Sequence, residues 1–234
     1  MKRTRVKGFP RLDGFMFDVD GTLLLTHDEV YVEANRIALT EVYGEAPDGS
    51  DVPGDTATAH VRRALAAAGF SGGEIDAGLR RWCERFSAEY VRLLADADTS
   101  HWELGPGAHE AIAGLERPAL LTGNPPPIAH ARMGRLGLAS YFPPGQGAFG
   151  CEREQRTELF ALARERAGGW PAERTVAVGD TPLDISSAHT AGCQCIAVTT
   201  GAYARHQLAS AEVVLPDLTQ LRDALAALNT EAGA

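Results

Sequence analysis

Lysine is nearly absent from the 234-residue sequence, since Lys2 and Lys7 are the only two and every other permanently cationic side chain is an arginine. Any task that needs a fixed cation beyond the first few residues must therefore fall to arginine. Positive charge is also in deficit overall, with 22 Lys and Arg against 31 Asp and Glu and a formal net charge of -9. Such a surface repels polyanions, so we expect no nucleic-acid partner.

Long apolar runs are missing as well. No stretch approaches the roughly 18 apolar residues that a membrane helix needs, so we expect no membrane association. The composition, with 44% hydrophobic and 23% charged residues, is typical of a soluble globular protein with a sizeable core.

The sequence has few cysteines, and none of them forms a C-x-x-C pair or a spacing typical of a zinc site. The four are Cys83, Cys151, Cys193 and Cys195. This pattern disfavours both disulfides and structural zinc. We therefore predict buried, reduced thiols in a cytoplasmic protein.

Four short apolar runs each end in a polar loop, and a helical pattern follows each of them. The runs are residues 14–17, 119–121, 175–178 and 195–198. Apolar residues recur at a spacing of three to four in segments 128–138, 158–167, 185–191 and 218–228. Strands that alternate with helices predict an α/β fold with a Rossmann-like parallel sheet and helices on both faces.

A long segment between the first two predicted strands contains no convincing strand of its own. It has the periodicity of amphipathic helices over residues 30–43, 60–68 and 75–94. We therefore predict a helical cap domain over residues 28–100. It is inserted into an α/β core domain formed by residues 1–27 and 101–234.

Polar residues follow three of the predicted strands, and such loops meet at the carboxyl edge of an open parallel sheet. Four carboxylates are then expected to converge there, those of Asp18, Asp20, Asp180 and Asp184. Their mutual repulsion requires an oxygen-binding divalent cation, and we expect Mg2+.

Side chains of this kind can carry out phosphoryl transfer. A carboxylate beside a cation can attack phosphorus, and a second carboxylate can protonate the leaving oxygen and then deprotonate water. Thr122, with the backbone N–H groups of Gly123 and Asn124 at a helix start, suits the oxygens of the transferred phosphoryl group. A cation is still needed, and Arg153 and Arg156 lie near the start of a later helix.

Three motifs carry a family resemblance. Residues 18–24, DVDGTLL, resemble the first motif of the haloacid dehalogenase (HAD) superfamily of phosphohydrolases. Residues 122–124, TGN, and residues 179–184, GDTPLD, are similar to the second and fourth motifs, in the same order along the chain. The match extends over nearly the whole sequence, and it implies the α/β core of that superfamily.

The resemblance also implies roles for the acidic residues. Asp18 corresponds to the nucleophile of the family, and Asp20 corresponds to its general acid and base. Mg2+ would be bound by the Asp18 and Asp180 carboxylates and by the backbone carbonyl of Asp20. Asp184 would be a further ligand or a partner of one.

The third motif departs from the family pattern, which usually has a lysine before a proline. Residues 152–156 of this sequence are EREQR instead. Because Arg156 begins an amphipathic helix, we predict that Arg156, rather than Arg153, contacts the phosphate and the nucleophile. The helical insert resembles the small helical cap of the family, in which residues 54–56, GDT, would form a substrate-facing loop.

Taken together, the resemblance implies a Mg2+-dependent phosphatase for a small phosphorylated metabolite, with phosphoglycolate-like substrates the most natural choice. A phosphosugar mutase and a non-catalytic phospho-ligand binder stay open as alternatives. Dehalogenation is disfavoured, because that reaction does not need Asp20. Phosphonate cleavage is also disfavoured, because in relatives it uses an imine-forming cap lysine, and residues 28–100 contain no lysine. A receiver domain would have no cap insert. We expect a monomer or a homodimer.

Overall fold

The computed structural model describes residues 12–49 and 52–231. Its strands, in chain order, are β1 (Gly14–Phe17), β2 (Ala119–Thr122), β3 (Ala148–Phe149), β4 (Thr175–Gly179), β5 (Gln194–Val198) and β6 (Val213–Leu215). They form one sheet in the order β3-β2-β1-β4-β5-β6, and every neighbouring pair is parallel. The predicted parallel α/β fold is therefore confirmed.

Eight α-helices lie within the described residues. They are α1 (Glu29–Tyr43), α2 (Ala57–Ala67), α3 (Gly72–Asp96), α4 (Ala108–Ala113), α5 (Pro126–Arg135), α6 (Arg156–Arg166), α7 (Pro182–Thr190) and α8 (Leu221–Glu231). Short 3-10 turns occupy Ala139–Tyr141, Ala172–Arg174, Arg205–Leu208 and Leu218–Gln220. The six-residue helix α4 was not predicted, because it is too short to show a clear period.

The sheet is buried on both faces. In β1, Met16 and Phe17 point to opposite sides, and both are fully buried. Met16 belongs to a cluster with Phe160 of α6 and Ile185 of α7, whereas Phe17 belongs to a cluster with Met133 of α5. Because both faces are apolar, the inner strands have continuous apolar sequences that make them recognisable.

The helices α1, α2 and α3 lie between β1 and β2 in the chain and share a core of their own. Leu65, Trp82 and Phe86 are fully buried members of this cluster. The helix α3 begins three residues before its apolar periodicity does, because Ser71 and Glu74 form a reciprocal capping box at its start. The three predicted helices of residues 28–100 therefore exist, with ends set by capping residues.

The prediction of four reduced cysteines is wrong for two of them, because Cys83 of α3 and Cys151 after β3 form a disulfide. The two residues are 68 positions apart in the sequence, and only the fold brings them together. Cys193 and Cys195 are free and buried, as predicted. Burial raises the pKa of Cys193 to about 11 and raises the pKa of Cys195 well above its ordinary value, so both thiols stay protonated and unreactive.

Within residues 12–49 and 52–231, the structure contains no helix that is long and apolar enough to cross a membrane.

Reduction of the disulfide is expected to lower the free energy of unfolding by about 4 kcal/mol, because the reduced unfolded chain gains the entropy of an open 68-residue loop. Urea unfolding with and without a phosphine reductant measures this difference. The double variant Cys83→Ser/Cys151→Ser should have the lower stability in both conditions. A wild-type protein whose unfolding is unaffected by the reductant would contradict the prediction.

Candidate active site

The carboxyl ends of three neighbouring strands bring the predicted polar motifs together. Asp18 directly follows β1, Thr122 ends β2 and Asp180 directly follows β4. A carboxylate oxygen of Asp18, one of Asp180 and one of Asp184 all lie within 4.8 Å of one another, and all three side chains are buried. The structure therefore brings three of the four predicted carboxylates together in one cluster at this edge of the sheet.

Burial makes it costly to ionise Asp18 and Asp180. It is the largest cause that raises the pKa of Asp18 to about 7, and the charges of Asp184 and Asp20 add to it while Arg156 opposes it. The pKa of Asp180 is raised to about 8, mainly by burial and further by the charges of Asp18 and Asp184. These buried acids are therefore more stable when they bind protons or a metal cation than when they are ionised with no cation bound.

Asp184 is fixed by the start of α7. It occupies the third helical position, where its carboxylate accepts hydrogen bonds from the backbone N–H and the hydroxyl of Thr181. The Thr181 hydroxyl in turn accepts a hydrogen bond from the Asp184 backbone N–H. A side chain on Gly179 would overlap the Asp184 carboxylate. The GDTPLD motif therefore builds a rigid helix start with Asp184 at its centre.

Arg156 supplies the cation in this site. Its Nη2 lies 3.0 Å from Asp18 Oδ1 and also binds the Asp184 carboxylate, and its side chain is 2% exposed. Burial opposes its charge, but the carboxylates of Asp184 and Asp18 outweigh this effect and raise the pKa of Arg156. Arg153 lies elsewhere, since it is exposed and donates to the backbone carbonyl of Glu152. Of the two predicted candidates, only Arg156 touches the cluster.

The TGN motif forms the next wall of the site. The Thr122 hydroxyl accepts hydrogen bonds from the backbone N–H of Asn124 at 3.3 Å and from its side-chain Nδ2 at 2.9 Å. Asn124 Nδ2 also donates to Asp20 Oδ2 at 2.6 Å. Thr122, Gly123 and Asn124 all line the same cavity as Asp18 and Asp20.

Asp20 is the exposed member of the acidic group, with 57% of its side chain accessible. Arg132 of α5 holds it through Nη1, which lies 2.9 Å from Oδ1 and 3.1 Å from Oδ2. Sequence reasoning did not identify Arg132. A signal was present, because Arg132 falls on the apolar face of α5 between Ala129 and Met133, where a charged residue needs a buried partner.

The loop before α2 closes over the site. Arg156 Nη1 donates to the carbonyl of Gly54 at 2.7 Å, and the backbone N–H of Ala57 donates to the carbonyl of Gly123 at 2.8 Å. Residues 54–56, predicted as a substrate-facing loop, line the cavity, whose volume is about 740 Å3. The cavity is thus enclosed by both the sheet edge and the helical insert.

Glycines make this close approach feasible. A side chain on Gly123 would overlap the carbonyl oxygen of Asp55, and one on Gly150 would overlap the carbonyl oxygen of Gly123. Gly54 has a φ of 85°, and a side chain there would overlap the Thr181 hydroxyl. Backbone therefore packs directly on backbone where the insert meets the sheet edge.

The acidic cluster fits a divalent cation. Its carboxylate oxygens are the donors that Mg2+ and Ca2+ prefer. When all three carboxylates are ionised, they bring three negative charges, and Arg156, which contacts Asp18 and Asp184, neutralises one of them. Gly21 and Gly201 leave space around Asp180, since a side chain on either would overlap its carboxylate.

The free energy of unfolding is expected to fall as the pH rises from about 4 to about 8 in the absence of divalent cations. Asp18 and Asp180 have folded-state pKa values of about 7 and about 8, above the ordinary value of 3.8. The folded protein therefore retains protons that the unfolded chain releases. This contribution to stability is complete below pH 3.8 and is lost as the pH rises through both folded-state values.

Thermal unfolding across this pH range, in a chelator and in Mg2+, measures the effect. Mg2+ should raise the melting temperature most at the alkaline end, because the cation replaces the lost protons. Asp180→Asn should flatten the pH dependence and reduce the response to Mg2+. A wild-type melting temperature that stays constant with pH and ignores Mg2+ would overturn this interpretation of the cluster.

Comparison with known proteins places this chain in a family. A family model of haloacid dehalogenase-like hydrolases matches residues 12–192. The phosphoglycolate phosphatase of Pseudomonas putida is 26% identical over 203 residues, which cover 82% of this chain and 70% of the relative.

Solved structures agree at the level of the fold. The β-phosphoglucomutase of Clostridium difficile has a TM-score of 0.66 at 17% identity, over 94% of this chain and 98% of that one. CbbY of Rhodobacter sphaeroides in complex with phosphate has a TM-score of 0.61 at 22% identity, over 90% of this chain and 96% of that one. Since the family model spans well over half of the sequence, the chain belongs to the haloacid dehalogenase-like hydrolases.

Proposed function

We propose that the protein is a Mg2+-dependent phosphatase that hydrolyses a small phosphorylated metabolite through an aspartyl-phosphate on Asp18. The observation that carries the proposal is the pairing of two different aspartates in one cavity. Asp18 is buried against Arg156, whereas Asp20, two residues further on, is exposed to the cavity. One environment suits a fixed nucleophile and the other suits a group that exchanges protons.

In the first step, a carboxylate oxygen of Asp18 attacks the phosphorus of the substrate. A new bond forms between phosphorus and this oxygen, and the bond between phosphorus and the leaving oxygen breaks. Asp20 enters this step as a carboxylic acid and gives its proton to the leaving oxygen, so the alcohol departs neutral. The product of this step is an acyl phosphate on Asp18.

In the second step, Asp20 acts as a base. Its carboxylate takes a proton from a water molecule whose oxygen attacks the phosphorus of the acyl phosphate. The bond between phosphorus and the Asp18 oxygen breaks, which releases inorganic phosphate and restores the Asp18 carboxylate. Asp20 is protonated again and ready for the next substrate.

Phosphate oxygens would be held by the Thr122 hydroxyl, the backbone N–H groups of Gly123 and Asn124, and Arg156. A buried donor of the site supports this assignment. The Nε atom of Arg156 is buried and has no hydrogen-bond partner among the described residues. A buried donor without an acceptor is costly, and a phosphate oxygen is an acceptor of matching charge.

The residues that would hold Mg2+ are Asp18 and Asp180 through their carboxylates and Asp20 through its backbone carbonyl. Asp184 would support them through Arg156 or as a further ligand. A bound divalent cation in such a site neutralises the charge of the phosphoryl group and of the carboxylates around it.

We also propose the division into a cap of residues 28–100 and a core of residues 1–27 and 101–234. The separate apolar cluster of α1 to α3 supports it. Phosphoglycolate-like compounds are the proposed substrates, because the Pseudomonas putida relative carries that activity in its name. We propose that the protein is a monomer or a homodimer and that it is cytoplasmic. The Cys83–Cys151 disulfide means that reduced cysteines no longer support the cytoplasmic location.

Release of inorganic phosphate from a panel that includes phosphoglycolate and sugar phosphates is expected to require Mg2+. Asp18→Asn should abolish this release while preserving the fold, because an amide cannot form the acyl phosphate. A phosphate assay with and without a chelator, beside circular dichroism of both proteins, tests the proposal. Full activity of Asp18→Asn would refute the assigned nucleophile. Conversion of a sugar phosphate into its isomer without net phosphate release would instead establish the phosphosugar mutase.

Replacement of Arg156 is expected to reduce phosphate capture far more than replacement of Arg153. Arg156→Ala removes two charge-assisted contacts, so kcat/KM should fall about 10- to 100-fold or more. Arg156→Lys, which carries the usual family residue, should retain part of the activity, because its ammonium keeps a positive charge beside Asp18 and Asp184 but loses the contact that Nη1 makes with the carbonyl of Gly54.

Arg153→Ala is the matched control, since its exposed side chain lies outside the cluster and kcat/KM should stay close to that of the wild type. Melting temperatures measured in Mg2+ separate loss of function from loss of fold. The reverse ranking of the two alanine variants would reject Arg156 as the phosphate ligand.

A further inference from the structure

We propose that Arg132 is a positioning residue that orients Asp20 for proton transfer and links this orientation to the cap. The role rests on the phosphatase function proposed above, in which Asp20 is the general acid and base. The contacts of Arg132 carry the inference, because a single guanidinium joins the proton-transfer residue to two cap helices.

One end of the guanidinium fixes Asp20. Arg132 Nη1 reaches both carboxylate oxygens of Asp20, at 2.9 Å and 3.1 Å, and also the side-chain carbonyl of Asn124 at 3.0 Å. Asn124 donates to Asp20 from the same region. Since 57% of the Asp20 side chain remains accessible, its contacts with Arg132 and Asn124 leave the carboxylate open to the cavity.

The other end of the guanidinium contacts the cap. Arg132 Nε and Nη2 each lie 2.9 Å from Asp28 Oδ2. The second oxygen of Asp28 caps α1 by accepting hydrogen bonds from the backbone N–H groups of Val30 and Tyr31. The Tyr90 hydroxyl of α3 donates to Asp28 Oδ2 at 2.7 Å. The orientation of Arg132 is therefore set by the starting turn of α1 and by α3.

Aromatic rings hold the guanidinium from its faces. Its central carbon lies 4.8 Å from the ring centre of Tyr31 and 5.6 Å from that of Tyr90. The side chains of Arg132 and Asp28 are 2% and 3% exposed. A side chain this enclosed has one available position, so Asp20 inherits its orientation from the packing of the cap.

The planar fork is essential to this arrangement. Arg132 uses Nη1 for Asp20 and uses Nε and Nη2 for Asp28, whereas a lysine has a single terminal nitrogen and cannot reproduce both sets of contacts. Arg132→Lys therefore keeps the buried positive charge and removes the linkage. This variant distinguishes positioning from a purely structural ion pair.

The experiment compares two substrates that differ in their need for acid catalysis. The first substrate is phosphoglycolate, or whichever alkyl phosphate the wild type hydrolyses best, and its leaving oxygen must be protonated. The second is p-nitrophenyl phosphate, whose leaving group departs without being protonated. For Arg132→Lys, kcat/KM should fall about 100-fold for the alkyl phosphate. It should stay near the wild-type value for the aryl phosphate.

The second proton transfer gives an independent spectroscopic readout. If Asp20 is misplaced, hydrolysis of the acyl phosphate becomes slow while its formation from p-nitrophenyl phosphate stays fast. Arg132→Lys should then release p-nitrophenolate in a burst stoichiometric with the enzyme, followed by a slow steady state. Asp20→Asn should show the same behaviour. In the double variant, Arg132→Lys should add nothing to the loss of kcat/KM that Asp20→Asn causes for the alkyl phosphate.

Two further variants guard against effects of folding. Tyr90→Phe changes no charge and loosens the network from the cap side, so it should show a smaller loss with the same substrate selectivity. Ile75→Ala destabilises the cap core away from the cavity, and its two kcat/KM values should stay in the wild-type ratio. Equal losses on both substrates without a burst, or additive effects in the double variant, would reduce Arg132 to a structural residue and overturn the inference. A wild type inactive on every phosphate would instead reject the phosphatase itself, and this role with it.

Discussion

Repulsion among acidic side chains at the carboxyl edge of the sheet is the constraint on which the other features depend. Asp18, Asp180 and Asp184 are buried, with a carboxylate oxygen of each within 4.8 Å of the others, so their charges must be balanced from the surroundings. Arg156 balances part of this charge directly, and Arg132 does the same for Asp20 and Asp28. Each guanidinium contacts two carboxylates at once. Beyond Lys7 the sequence has no lysine, so arginine makes both sets of contacts.

The inner part of the fold could be predicted from the sequence, because β1, β2, β4 and β5 are apolar on both faces. The edge strands β3 and β6 could not be predicted, because their two and three residues are too few to show a pattern. The placement of Asp18, Asp180 and Asp184 followed from strand ends alone. Arg132 and its partners Asp28 and Tyr90 could not be found in this way, because their contact depends on how α5 packs against α1 and α3. The disulfide was not predicted for the same reason, because the sequence does not show how far apart two residues 68 positions from each other lie in the fold.

The helical insert is joined to the sheet by several kinds of bond, and each lies beside the cavity or near it. Arg156 binds the carbonyl of Gly54, Arg132 binds Asp28, and the disulfide ties α3 to the segment after β3. Both arginines therefore contact an acidic residue of the sheet edge on one side and the insert on the other. In the proposed mechanism, the nucleophile and the general acid would each be sensitive to the position of the cap through its own arginine.

The contacts among glycines have an evolutionary consequence. Gly54, Gly123 and Gly150 come from three distant parts of the sequence, and Gly123 and Gly150 leave room only for a neighbouring backbone. A mutation that adds a β-carbon at either position would displace a segment far away in the chain, so a compensating change would have to arise there at the same time. Variation among homologues should therefore be low at these positions even though neither carries a reactive group. The exposed surface of the helical insert is not subject to this constraint, so its sequence should vary more among homologues.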